Sequence, residues 1–149
     1  MTRADGCIPL AEKGAFAAAP DLAGPAGGVA REVASWPGVI AATHWRLGAP
    51  GTVDGADFYV GAEELGHIHL DGTVHLATTR AMRAALLRLG RAERFPWYAS
   101  WVQTPIRTGA EARHALWLIR LNYDRLRGAG EAAILDRIAQ PTTLYPAST

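Results

Sequence analysis

With 149 residues, the chain suits one compact core and is short for two ordinary domains. Fifteen Lys and Arg against 14 Asp and Glu leave a formal net charge of +1, without the basic excess that marks nucleic-acid binders. The single cysteine, Cys7, excludes an intrachain disulfide and fits a reducing cytoplasm, and no apolar run is long enough to span a bilayer.

Residues 1–28 read as an Ala/Gly/Pro-rich leader broken by Pro9, Pro20, Gly24, Pro25, Gly27 and Gly28, with a short helix possible over residues 10–19. A helix is predicted over residues 26–36, its stripe Val29, Val33 and Trp36 ended by Pro37-Gly38. Strands are predicted over residues 39–45 and 57–60, joined by a mobile connection that contains Gly55. A histidine-rich hairpin follows. Thr78 or Thr79 then caps a helix carrying Met82, Ala85, Leu86 and Leu89, which Gly90 ends. Arg80, Arg83, Arg88 and Arg91 are expected on its solvated side. The aromatic stretch Phe95, Trp97, Tyr98 and Trp101 leads into a further strand that ends near Pro105.

Thr108 and Glu111 have the spacing of a capping box. The helix they open carries Ala112, Ala115, Leu116, Ile119, Tyr123 and Leu126, widened by Leu118 and Leu121, and stops at Gly128, with Arg120 and Asp124 spaced to pair on its surface. A last helix spans residues 131–139, before Pro141. The expected fold is α+β: a mostly antiparallel sheet of about five strands, two main helices on one face and short terminal helices. Residues 29–128 form the domain and residues 129–149 a C-terminal helix and tail.

The hairpin Gly66-His67-Ile68-His69-Leu70-Asp71-Gly72-Thr73-Val74-His75-Leu76 is the first candidate site. Asp71-Gly72 signals a tight turn, and two registers are open. A two-residue loop pairs Ile68 with His75 and splits the histidines between faces. A three-residue loop with Gly72 left-handed pairs His67 with His75 and Ile68 with Val74, segregating His67, His69, His75 and Thr73 from Ile68, Val74 and Leu76. Segregation favours the second. Three imidazoles on one face can act as neutral metal ligands or as a general base near neutral pH, with Glu64 or Asp71 orienting a ring. Placement on a merely solvated face is the non-functional alternative. His44 and His114 are isolated in sequence and expected to be structural.

The run Glu64-Leu65-Gly66-His67-Ile68-His69, the turn and Val74-His75-Leu76 resemble the core motif of the fungal luciferases and their bacterial relatives. Gly90-Arg91-Ala92-Glu93-Arg94 and Trp101-Val102 extend the likeness, which covers residues 36–127. Phe95 stands where the fungal proteins have His, and the hairpin loop is shorter. The resemblance implies an oxygenase that joins dioxygen to an enolic or phenolic small molecule without an organic cofactor. It implies His67, His69 and His75 as catalytic residues, followed by Arg94, steadying the substrate's anion, and Trp101; Trp97, Tyr98 and Trp101 read as the lining of an aromatic pocket or as plain core, and Glu64 is placed with Tyr98 among the substrate-binding candidates. A divalent metal on His67, His69 and His75 is the alternative, and a non-catalytic module that binds a metabolite or partner is a third. The expected partner is a small molecule, with neither nucleic acid nor membrane.

Overall fold

Alternation of small apolar and polar side chains along the first half of the chain builds a sheet with two unlike faces. The computed structural model describes residues 17–49 and 51–140. Along them run α1 (Gly24–Ala34), β1 (Val39–Trp45), β2 (Val53–Val60), β3 (Glu63–His69), β4 (Thr73–Leu76), α2 (Arg80–Arg88), β5 (Glu93–Arg94), β6 (Val102–Pro105), α3 (Gly109–Leu126) and α4 (Glu131–Ala139). The strands form one six-stranded antiparallel sheet in the order β1-β2-β3-β4-β6-β5. The α+β expectation holds. One more strand is present than predicted, because β5 is a two-residue edge pairing too short to leave a periodic signal.

Helices α1 and α3 cover one face. Ala56 and Phe58 of β2, Ile68 of β3, Val74 and Leu76 of β4 and Val102 of β6 meet Val29 and Val33 of α1 and Ala115, Leu118 and Ile119 of α3 in the main core. Thr108 caps α3 by accepting from the Glu111 amide at 3.1 Å, and Thr79 caps α2 by accepting from the Met82 amide at 3.1 Å. Helix α4 packs on α2, and Arg137 reaches Asp124 at 2.7 Å beside the foreseen Arg120–Asp124 pair at 3.1 Å. Asn122, hidden within the α3 stripe, donates to the carbonyls of Leu65 at 2.9 Å and Ala77 at 3.2 Å, tying the helix to the ends of β3 and β4.

Gly55 corrects a sequence expectation: it lies inside β2, opposite His44 on one side and His69 on the other. Its φ of +151° and the close approach of the Ile68 carbonyl oxygen leave no room for a Cβ. A glycine within a paired strand is hard to tell from a loop glycine by composition. The chain ahead of α1 is also tied down at its inner end. The Ala17 and Ala18 carbonyls accept from the Thr43 amide and hydroxyl at 2.8 and 2.7 Å, and Leu22 is buried. The helix considered for residues 10–19 falls mostly outside the described residues, as do Cys7 and Pro141. Residues 17–19 are not helical.

Candidate functional site: a histidine face with carboxylate partners

The sheet face away from α1 and α3 carries the site. In the hairpin, Gly72 has φ +89°, its amide donates to the His69 carbonyl at 3.0 Å, and Asp71 Oδ1 accepts from the Thr73 amide at 2.9 Å. These bonds close the three-residue loop, so His67 pairs with His75 and Ile68 with Val74. Asp57 of β2 lies opposite His67, and Gln103 of β6 lies opposite His75.

The three hairpin imidazoles converge. His75 Nδ1 lies 3.0 Å from His67 Nε2 and 3.1 Å from His69 Nε2. A fourth joins them: His44 stacks on His67 with ring centroids 4.0 Å apart and meets the edge of His69 at 5.0 Å. The expectation that His44 is isolated is therefore corrected. It pairs with Gly55 across β1 and β2, and Gly55 pairs with His69, so strand order brings residues distant in sequence to one spot. One ligand atom from each of His44, His67 and His69 lies within 4.8 Å of the other two, a set able to hold a metal ion. Asp57, Glu64 and His67 form a second such group, all three buried.

Each member of the first set leans on a carboxylate. His44 Nδ1 is 2.8 Å from Asp57 Oδ1, His67 Nδ1 is 3.3 Å from Glu64 Oε1, and His69 Nδ1 is 3.0 Å from Asp54 Oδ2. An ionised carboxylate only accepts, so in the tautomer that satisfies these contacts Nδ1 carries the proton and Nε2 presents its lone pair to another partner. Of the two acids expected to orient a ring, Glu64 does so while Asp71 caps the hairpin turn at the Thr73 amide; Asp57 and Asp54 were not expected. Asp57 carried a signal, being an acid inside the apolar run Ala56 to Val60, where burial demands a partner. Asp54 reaches His69 because the register shifts between His44 and Trp45.

Burial, helped by nearby His69 and His44, lowers the His75 pKa from 6.5 to about 4. His75 is therefore neutral at neutral pH. The unfolded chain binds this proton near pH 6.5 and the folded chain only near 4, so acidification across that interval withdraws stability from the metal-free protein. Denaturant unfolding in the presence of a chelator should show stability falling from pH 7 to pH 4.5, and His75→Gln should flatten the slope. An unchanged slope would contradict the assignment.

An aromatic wall closes one side. Phe95 lies 4.5 Å from the His75 ring, Trp101 lies 5.7 Å from the His67 ring, and Phe95, Tyr98 and Trp101 pack on one another. Trp101 and Phe95 are buried, Tyr98 is half-buried, and Trp97 is 72% exposed against the edge of Phe95. Arg83 holds the wall: its Nη1 donates to the carbonyls of Phe95 at 3.2 Å, Tyr98 at 2.6 Å and Trp101 at 3.2 Å. Arg91 similarly serves the carbonyls of Ile138 and Gln140. Two of the four arginines expected on a solvated helix side thus bind backbone instead, because helical periodicity takes no account of loops that fold back over the helix.

Arg94 stands apart. It is exposed on the edge strand β5 and pairs with Val102, a residue of the helix-side core, so the pairing sets it on the face opposite the imidazoles. His114 also lies elsewhere, 2.6 Å from the Arg91 carbonyl.

Fold and site together define an α+β domain whose sheet carries a cluster of four histidines with carboxylate partners, able to bind a metal. The family model for the Luciferase domain matches residues 62–122, from just before β3 into α3, and supports a luciferase-like domain family for this part of the chain. The match contains three of the four clustered histidines; His44 precedes it. Neither the curated proteins nor the solved structures include a match. Among the described residues, no helix is long and apolar enough to cross a membrane.

Proposed function

We propose that this chain is a luciferase-like small-molecule enzyme, an oxygenase that joins dioxygen to an enolic or phenolic substrate at a divalent metal ion held by the histidine face. The observation that carries the metal is the convergence of carboxylate-braced ring nitrogens in the cluster. With Nδ1 of His67 and His69 donating to Glu64 and Asp54, their Nε2 lone pairs both face His75 Nδ1, which can donate to only one of them. A cation resolves the remaining contact. The lowered pKa of His75 disfavours an added proton on that ring, whereas a transition-metal ion suits neutral imidazoles whose far nitrogens are braced by carboxylates.

His44, His67 and His69 are the ligand set in this reading, with His75 as a further ligand or hydrogen-bond partner. When bound, the ion supplies Lewis acidity toward an enolic or phenolic oxygen and an electronic route to dioxygen. The substrate gives up its O–H proton to water, and a carbon of the resulting electron-rich anion bonds to one oxygen atom of dioxygen. Dioxygen takes up two electrons, and the proton returns to its outer oxygen, giving a hydroperoxide with all atoms and electrons conserved. Neither an organic cofactor nor an external reductant is required.

The metal-free variant, with a hairpin histidine as base, meets an obstacle at His75. An acceptor with a pKa of about 4 takes a proton from an enol only at considerable cost. Oxygen-electrode assays with a panel of enols and phenols decide between the two. Uptake that needs substrate, ends on chelation and returns with added metal is expected. Uptake unaffected by chelation would favour the metal-free base, and ligand-induced stabilisation without uptake would indicate a binding module.

A further inference from the structure

Trp101 is 2% exposed, yet its indole Nε1–H has no hydrogen-bond partner. The indole nitrogen can only donate, and buried donors are normally paired, so an orphan needs a reason. Its surroundings supply one. The Trp101 ring lies against His67 at 5.7 Å, Phe95 at 5.7 Å and Tyr98 at 5.3 Å, a largely apolar shell at the edge of the imidazole cluster. Its backbone is fixed as well: the amide donates to the Tyr98 carbonyl at 3.3 Å, and the carbonyl accepts from Arg83 at 3.2 Å. The side chain is therefore held in place while its polar atom goes unused. Ser100 Oγ shares the orphan condition, but a hydroxyl rotates and also accepts, so it selects no ligand chemistry.

The structure assigns Trp101 Nε1–H as the donor that receives the anionic oxygen of the substrate. Because the group sits among aromatic rings and away from water, a bond to a phenolate or enolate oxygen is charge-assisted and poorly screened. This is the anion-steadying part that the resemblance gave to Arg94, which lies on the other face. The donor also discriminates, since a ligand lacking an acceptor oxygen leaves the indole unsatisfied. The inference rests on the oxygenase reading of the same site and deepens it by specifying how the substrate oxygen is held.

The test uses the full-length, metal-loaded chain with 4-nitrocatechol as a chromophoric phenolate probe. The Trp101 indole signal in a ¹⁵N spectrum, assigned by its loss in Trp101→Phe, should move downfield on saturation with the probe. Replacing Trp101 with 3-benzothienylalanine keeps the two-ring shape and removes the donor. Probe affinity should fall about tenfold or more, with thermal stability held or raised. Should the Phe variant fold poorly, the isosteric replacement still reports. Affinity unchanged by the isostere, or an indole signal that stays put at saturation, overturns the inference. If His67→Ala nevertheless abolishes probe binding, the metal-centre reading survives that failure. Absence of probe binding to the unmodified protein overturns the inference outright.

Discussion

His67→Ala is expected to abolish substrate-dependent oxygen uptake and to weaken divalent-metal binding by about 100-fold or more, while the fold persists. His67 stands at the centre of the face: it stacks on His44, touches His75 at 3.0 Å and rests on Glu64 at 3.3 Å. Loss of an outer partner of a metal ligand typically costs about 10–100-fold in affinity, and loss of a ligand itself costs more. The imidazole is also within reach of two buried acids, Asp57 at 3.8 Å and Glu64 at 3.3 Å, so some thermal stability should go as well. Metal titration, oxygen uptake and circular dichroism on one preparation check these effects together. A variant with native metal affinity and turnover would remove His67 from the site.

Gly55→Ala is expected to be the most damaging small substitution, costing about 3–5 kcal/mol. Two independent penalties combine: a φ of +151° that an L-residue rarely adopts, and a Cβ driven into the Ile68 carbonyl oxygen with His69 Cα at 2.8 Å. Relief requires β2 and β3 to separate where His44 and His69 converge, so metal affinity should fall with stability. Urea unfolding measures the first effect and metal titration the second. A loss under 1 kcal/mol would mean that the pairing at Gly55 is looser than described.

How much of this was legible beforehand depended on the range of the signal. The hairpin register could be read because Asp71-Gly72 and strict alternation are local, and only one register segregates Ile68, Val74 and Leu76 from the histidines. Helix α3 was equally accessible through its stripe, its Thr108 cap and Gly128, and the span of α4 was read from the chain ahead of Pro141. His44 was missed because its place depends on β1 being the outer neighbour of β2, an order fixed by packing of the whole sheet. Asp54 was missed because a register shift moves it out of simple alternation. Arg83 was misplaced for a related reason, since its three acceptors are backbone carbonyls of a loop whose path no side-chain pattern encodes. The resemblance pointed to the hairpin on which the imidazoles converge, and for Arg94 the strand pairing shows a face that motif matching does not register.

His44 is also where the account can be tested most directly, because it lies before the matched segment 62–122 and only the folded sheet brings it to the site. Titration of metal-free protein with Fe(II), Cu(II) or Zn(II), following bound metal by elemental analysis, should give about one equivalent per chain. The His44→Ala variant should bind that equivalent at least about tenfold more weakly. A wild-type protein that takes up no metal, or a His44→Ala variant of undiminished affinity, would contradict the metal centre proposed for the histidine face.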